Sequence, residues 1–220
     1  MVSPRGFIGS SIGRKVVMAV TGAILFGFVL GHMLGNLQVY LGPEAMNGYA
    51  VFLREVLHGT GIWIARAVLL AAVVLHIWAA TSLTLTSRRA RPVAYRQQKW
   101  TESTYASRTM RWSGVILFAF IVYHLMHFTF GNAHPSFIEG DVYHNFVAGF
   151  RSVPVSLAYI VAMILLGLHL RHGVWSMFQT LGVSQPRYIA MAKTGAWIFA
   201  AIIVLGNISF PLAVLAGILK

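Results

Sequence analysis

The chain has 220 residues, of which 57% are hydrophobic and only 10% charged, and its mean hydropathy is +0.71, which excludes an ordinary soluble domain and predicts membrane-spanning helices. The formal net charge of +12 reads in such a chain as cationic loops at one membrane face, not as a nucleic-acid surface. Cysteine is absent, which excludes disulfides, cysteine-ligated iron–sulfur clusters, c-type haem attachment and zinc–thiolate sites, so any redox group must be held by His, Met or non-covalent contacts.

In chain order, residues 1–13 form a polar lead-in containing Gly and Ser. Arg14 and Lys15 then precede an apolar run that is too long for a signal-peptide core and has no small-residue cleavage site after it, so it is expected to be a retained first span. Span I is expected over 16–41. Within it Gly27, Gly31 and Gly35 recur every fourth residue on one helix face, for packing against another helix or for a flat cofactor. Residues 42–62 read as a loop. Span II is expected over 63–85, with Arg66 near its first turn and His76 inside it. Residues 86–111 form a strongly basic loop, with Arg88, Arg89, Arg91, Arg96, Lys99, Arg108 and Arg111 against the single Glu102. Span III is expected over 112–130 and span IV over 153–178, joined by a loop at 131–152. Span V is expected over 194–219, with no histidine and with Pro211 kinking its far end. The whole chain, 1–220, thus reads as one all-α membrane domain with a four-helix core of spans I–IV plus span V.

Five spans place the termini on opposite sides. With the N-terminus cytoplasmic, 13 of the 17 Lys and Arg fall inside, and four of the five acids fall outside. The positive-inside rule therefore predicts N-in, C-out.

The stretch Thr21–His32 occurs twice. Ninety-two residues later, Ser113–His124 repeats a small hydroxyl residue, a Gly, an apolar run and a His at the same spacing. Spans I to IV each hold one deep histidine: His32, His76, His124 and His169. Ionisable groups at membrane depth are costly and are usually retained for function. His32 and His76 are 44 residues apart and His124 and His169 are 45 apart, so the span–His–loop–span–His unit repeats nearly in register. Alternating span direction puts His32 and His124 at an outer level and His76 and His169 at an inner one. Two layers of two imidazoles are the ligand set of two bis-histidine b-type haems. Depth alone favours His127 over His124 as the partner of His32; the repeat favours His124 and leaves His127 to support or packing. His172 sits nearer the inner surface, placed for a haem propionate or a quinone. Further propionate candidates are Arg14, Lys15, Arg111 and Arg171 inside and Arg66 outside, with topogenic charge as the alternative for each. Arg66 stands out because the charge rule disfavours it there. His58, His134 and His144 read as solvated loop residues.

The run Ser10-Ser-Ile-Gly-Arg14, the Gly22 to His32 span, the loop Leu41-Gly-Pro-Glu-Ala-Met-Asn47 and the segment His169-Leu-Arg-His-Gly-Val-Trp175-Ser resemble the cytochrome b subunit of succinate:quinone oxidoreductase, in its five-helix, two-haem, b558-type form. The resemblance covers nearly the whole chain. It implies that the first and third histidines ligate a distal haem and the second and fourth a proximal one. It also implies a bacterial cytoplasmic-membrane subunit of succinate dehydrogenase or fumarate reductase (respiratory complex II, linked to the tricarboxylic acid cycle). Succinate would be oxidised on an FAD-containing flavoprotein partner, and an iron–sulfur partner would dock on the cytoplasmic face, for which the 86–111 loop offers a surface. Menaquinone or ubiquinone would be the substrate of the membrane part. Ser10 and Arg14 match residues that relatives use for quinone, and Ser11 and His172 stand near them; Gly13 departs from a His found there in many relatives. Other anchors of respiratory dehydrogenases (hydrogenase or formate dehydrogenase type) and a haem-free proton-relay or transport protein are the competing readings.

Overall fold

A computed structural model of the chain describes residues 6–90, 93 and 105–220. Arg5, Arg91, Arg96, Lys99 and Glu102 lie outside the described residues. Seven α-helices are present among them: α1 Ser11–Asn36, α2 Pro43–Glu55, α3 Gly61–Arg89, α4 Tyr105–Phe128, α5 Val142–Phe150, α6 Val153–Thr180 and α7 Pro186–Leu215. Five segments are long and apolar enough to cross a membrane: Ser11–Leu41, Gly61–Arg89, Ser107–Phe128, Val153–Thr180 and Pro186–Leu215.

The helices overrun the apolar windows expected from sequence. α1 starts five residues before the expected span, α3 extends through Arg88 and Arg89, and α7 starts at Pro186 instead of 194 and ends at Leu215. Hydropathy marks where the hydrocarbon ends, whereas a helix ends where its caps lie. Ser10 caps α1 by accepting from the backbone N–H of Gly13, and Pro186 occupies the first turn of α7. Two expected loops also contain helices. α2 has Pro43 and Glu44 in its first turn and Arg54 in its last, matching the helix dipole at both ends. α5 is capped by Asp141, whose carboxylate accepts from the backbone N–H of His144.

α2, α5 and the C-terminal Lys220 gather at one end of the bundle, here the capped end. Asn47 of α2 donates to Asp141 at 3.0 Å and accepts from the backbone N–H of Tyr143 at 3.0 Å, and Tyr143 donates to the Lys220 carbonyl at 3.4 Å. Beneath this cap the most continuous buried cluster forms from Met33, Val39, Met46, Phe146, Phe150 and Phe210 with their neighbours. The opposite, basic end holds Arg14, Lys15, Arg88, Arg89, Arg108, Arg111, Arg171, Arg187 and Lys193.

In the bundle, α1 packs on α3, α4 on α6, and α6 on both α1 and α7, while α3 and α4 do not pack extensively against one another. Small residues set the close approach of α6 and α7: a Cβ on Gly167 would collide with the Val204 side chain. Between the α1/α3 and α4/α6 pairs, which touch through α1 and α6, the deep histidine rings meet in two pairs.

The cap carries a pH signature. The His144 backbone N–H, followed by the Asn47 side chain, holds the Asp141 carboxyl below its ordinary range. A depressed folded pKa means the ionised form stabilises the cap above the unfolded pKa of about 3.9, and this contribution fades as pH falls through the lower folded value. Asp141→Ala is expected to cost about 1 kcal/mol as a lost N-cap. Asp141→Asn keeps the cap and should flatten the acid limb of a melting-temperature-against-pH profile measured in detergent.

Candidate histidine site within the helical bundle

The two copies of the repeat lie on α1 and α4, and each copy does two separate jobs. Thr21, 4% exposed, donates its hydroxyl proton to the Val17 carbonyl at 2.7 Å, one turn back in α1. Its oxygen lies 3.1 Å from Nδ1 of His76 in α3. Ser113, 2% exposed, donates to the Met110 carbonyl at 3.1 Å, and its oxygen lies 3.3 Å from Nδ1 of His169 in α6. With the hydroxyl proton committed to a carbonyl, each oxygen can only accept, so Nδ1 of His76 and of His169 carries the proton. Nε2 of both rings is left with its lone pair, the form in which imidazole binds a metal. The adjacent glycines lie against the same rings, at a distance where a Cβ would make ordinary van der Waals contact. A Cβ on Gly22 would lie 3.5 Å from Cε1 of His76, and one on Gly114 would lie 3.9 Å from Cε1 of His169.

Ten residues further along each copy is the second job. His32 and His124 meet across the interior with ring centroids 5.8 Å apart and planes at 88°. His76 and His169 meet with centroids 6.3 Å apart and planes at 56°. The pairs join α1 to α4 and α3 to α6, helix pairs that meet through side chains rather than through close backbone packing. His32 and His124 lie toward the capped end, and His76 and His169 lie nearer the basic end.

The two centroid separations match in length what two imidazoles sharing one metal would need. Imidazole–metal bonds run about 2.0–2.1 Å, so rings on opposite sides of one first-row metal have centroids roughly 6 Å apart. No group of three or more His, Asp or Glu poised to hold a bare ion occurs among the described residues. A haem needs only two protein ligands, because the macrocycle supplies the other donors. Gly27 and Gly31 on α1 have nothing within 4 Å of where a Cβ would be, leaving that face open beside His32, whereas Gly35 packs against the Tyr49 side chain.

The remaining expected site residues divide clearly. His127 is fully buried. Its ring stacks on Tyr123 (centroids 5.5 Å) and His134 (4.9 Å), and its Nδ1 lies 3.0 Å from the Tyr159 hydroxyl. His134, expected to be solvated, instead packs under the cap, with its Nε2 donating to the Asn145 carbonyl at 2.7 Å. His172 is half-buried; its Nδ1 is shielded and without a hydrogen-bond partner. Its ring meets Trp175 edge-on at 5.4 Å, and Lys193 of α7 lies over the same Trp ring at 4.9 Å. Ser10 is spent on its helix, donating to the Phe7 carbonyl and accepting from Gly13. Ser11 is exposed in the first turn of α1. Arg14 clamps α1 to α3, donating to Ser82 at 2.7 Å and Thr86 at 3.0 Å, and also bonds the Gly9 and Ser10 carbonyls. Lys15, Arg111 and Arg171 are exposed at the basic end. Arg66 lies 4.8 Å over the ring of Trp63, one turn earlier in α3, which gives this cation a local partner.

Sequence reasoning noticed the hydroxyl of the repeat without giving it a task, and it passed over Tyr159. The repeat was the available signal for Thr21 and Ser113. Tyr159 had none, since one Tyr in an apolar run looks like core.

A family model described as succinate dehydrogenase/fumarate reductase transmembrane subunit matches residues 87–208, which is 122 of the 220 residues and more than half of the chain. The matched range holds Ser113, His124, His127, Tyr159, His169 and His172. No curated protein and no solved structure matches the chain.

Gly149 tests the packing around the buried imidazoles. A Cβ there would approach Cε1 of His127 to 2.8 Å, its Nε2 to 3.0 Å and Nε2 of His134 to 3.1 Å. Gly149→Ala should therefore displace both rings and cost about 1–3 kcal/mol, read as a lower melting temperature in detergent relative to Gly48→Ala, which meets nothing within 4 Å.

Proposed function

The chain belongs to the succinate dehydrogenase/fumarate reductase transmembrane-subunit family, and from that premise we propose that it is the dihaem cytochrome b anchor of such a complex, carrying electrons between an iron–sulfur subunit and membrane quinone. The observation that carries the reading is the pair of diagonal histidine contacts, 5.8 Å and 6.3 Å between centroids, at two levels of one bundle. His32 and His124 hold the capped-end group, and His76 and His169 hold the basic-end group. Haem b held by these residues would supply one-electron carriage. Thr21 and Ser113 fix the tautomer and aim of the basic-end ligands.

The charge distribution supports a cytoplasmic basic end and an external capped end, in a bacterial cytoplasmic membrane. The iron–sulfur subunit, with its FAD-containing flavoprotein, then docks on the basic end, and the basic-end histidine pair is the nearer to it. Anionic propionates at that end find Arg14, Lys15, Arg111, Arg171 and His172 within the same region, and Arg66 serves at the other. For the quinone head group, whether menaquinone or ubiquinone, His172 is the candidate side chain whose Nδ1 has no hydrogen-bond partner within the chain. Ser10 and Arg14 already serve the α1 cap and the α1–α3 clamp, so they support the position of α1 more directly than they address a ligand. Ser11 remains open beside them.

The test is the reduced-minus-oxidised spectrum and pyridine haemochrome of the purified complex. Two haems per chain are expected. His76→Ala and His124→Ala should each remove one, and His127→Ala should remove none. A colourless complex, or a His76→Ala variant that retains both haems, sinks the assignment.

A further inference from the structure

The deep histidines differ in what holds their second nitrogen. Nδ1 of His76 and Nδ1 of His169 each end on a hydroxyl whose own proton goes to a backbone carbonyl in the same helix. These are dead ends: the chain stops at rigid backbone two hydrogen bonds from the ring. Nδ1 of His124 instead lies 3.2 Å from the Tyr159 hydroxyl, which lies 3.0 Å from Nδ1 of His127. Tyr159 comes from α6 and is 6% exposed. Its ring is held edge-to-face by Phe120 and Phe150, both at 4.9 Å.

A phenol has one proton and faces two nitrogens, so it must accept from one and donate to the other. Ligation of His124 through Nε2 leaves the proton on its Nδ1, which is then donated to the Tyr159 oxygen. The phenol proton passes on to Nδ1 of His127, whose own proton therefore sits on Nε2. That Nε2 is buried and has no partner. The direction of the whole chain follows from the ligation of one ring.

We infer, resting on the dihaem reading, that Tyr159 is the positioning residue of the capped-end ligand His124, and that through His127 it gives the capped-end haem a ligand field distinct from that of the basic-end haem. Hydrogen bonding from a ligand's second nitrogen makes that ligand more basic and favours the oxidised metal. A phenol that hands its own proton to an imidazole is polarised along the chain and accepts more strongly for it. Removing the acceptor weakens donation to the iron and raises the potential of that haem.

The experiment is a potentiometric titration with low-spin electron paramagnetic resonance on the intact complex, with the capped-end signal identified by its loss in His124→Ala. Tyr159→Phe keeps the ring and its packing and deletes the hydroxyl. It is expected to retain both haems, raise the midpoint potential of the capped-end haem, shift its resonance signal and leave the basic-end haem unmoved. Thr21→Val is expected to do the converse, moving the basic-end haem alone. Should Tyr159→Phe lose the capped-end haem, His127→Leu decides: it keeps Tyr159 and deprives the phenol of its acceptor, and the same upward shift is expected. Unchanged potentials in a fully loaded Tyr159→Phe complex, a shift confined to the basic-end haem, or an unshifted His127→Leu would overturn the inference while leaving the dihaem reading intact. A wild-type complex without haem would overturn both.

Discussion

An imidazole in the middle of a membrane has no water to satisfy it, and the arrangement of this bundle follows from meeting that need. Each unpaired polar atom in an apolar medium costs on the order of a few kcal/mol, and four such rings lie at depth here. For two of them the solution is a Thr or Ser that first satisfies itself on its own helix and then offers an oxygen to the neighbouring ring. This bond locks the ring's tautomer and joins α1 to α3 and α4 to α6, the same pairs that pack by backbone proximity. One hydroxyl residue, Thr21 or Ser113, thus contributes a helix–helix bond and a tautomer.

The two ends of the bundle are built on opposite terms. At the capped end α2 and α5 close over the helices, and Asn47, Asp141 and Tyr143 stitch that cover together. Beneath it lie His127, His134, Tyr159 and a set of phenylalanines in close ring contact. At the basic end no comparable cover occurs among the described residues. There the fixed elements are the Arg14 clamp and the Trp175 ring between His172 and Lys193. The family to which the chain belongs implies partnership with the catalytic subunits of the same complex.

Much of the fold was legible because hydrophobic runs of about 20 residues have one stable solution in a bilayer. α2 and α5 were not legible, because short helices of mixed polarity resemble loops until their caps are seen. His32 and His124, whose rings meet, stand at the same offset in a repeat visible in the sequence. Arg66 looked anomalous on charge grounds and lies over Trp63, a neighbour one helical turn away that the sequence did contain.

By itself the sequence determined the number of spans, the charge asymmetry between the two ends, and which four histidines recur in register. These are properties of composition and spacing along one chain. Only the tertiary structure decided what holds those histidines. Thr21 reaches His76 across 55 residues, Ser113 reaches His169 across 56, and Tyr159 reaches His124 across 35. A hydrogen bond between side chains depends on the crossing and rotation of two helices, which no periodicity within either helix records.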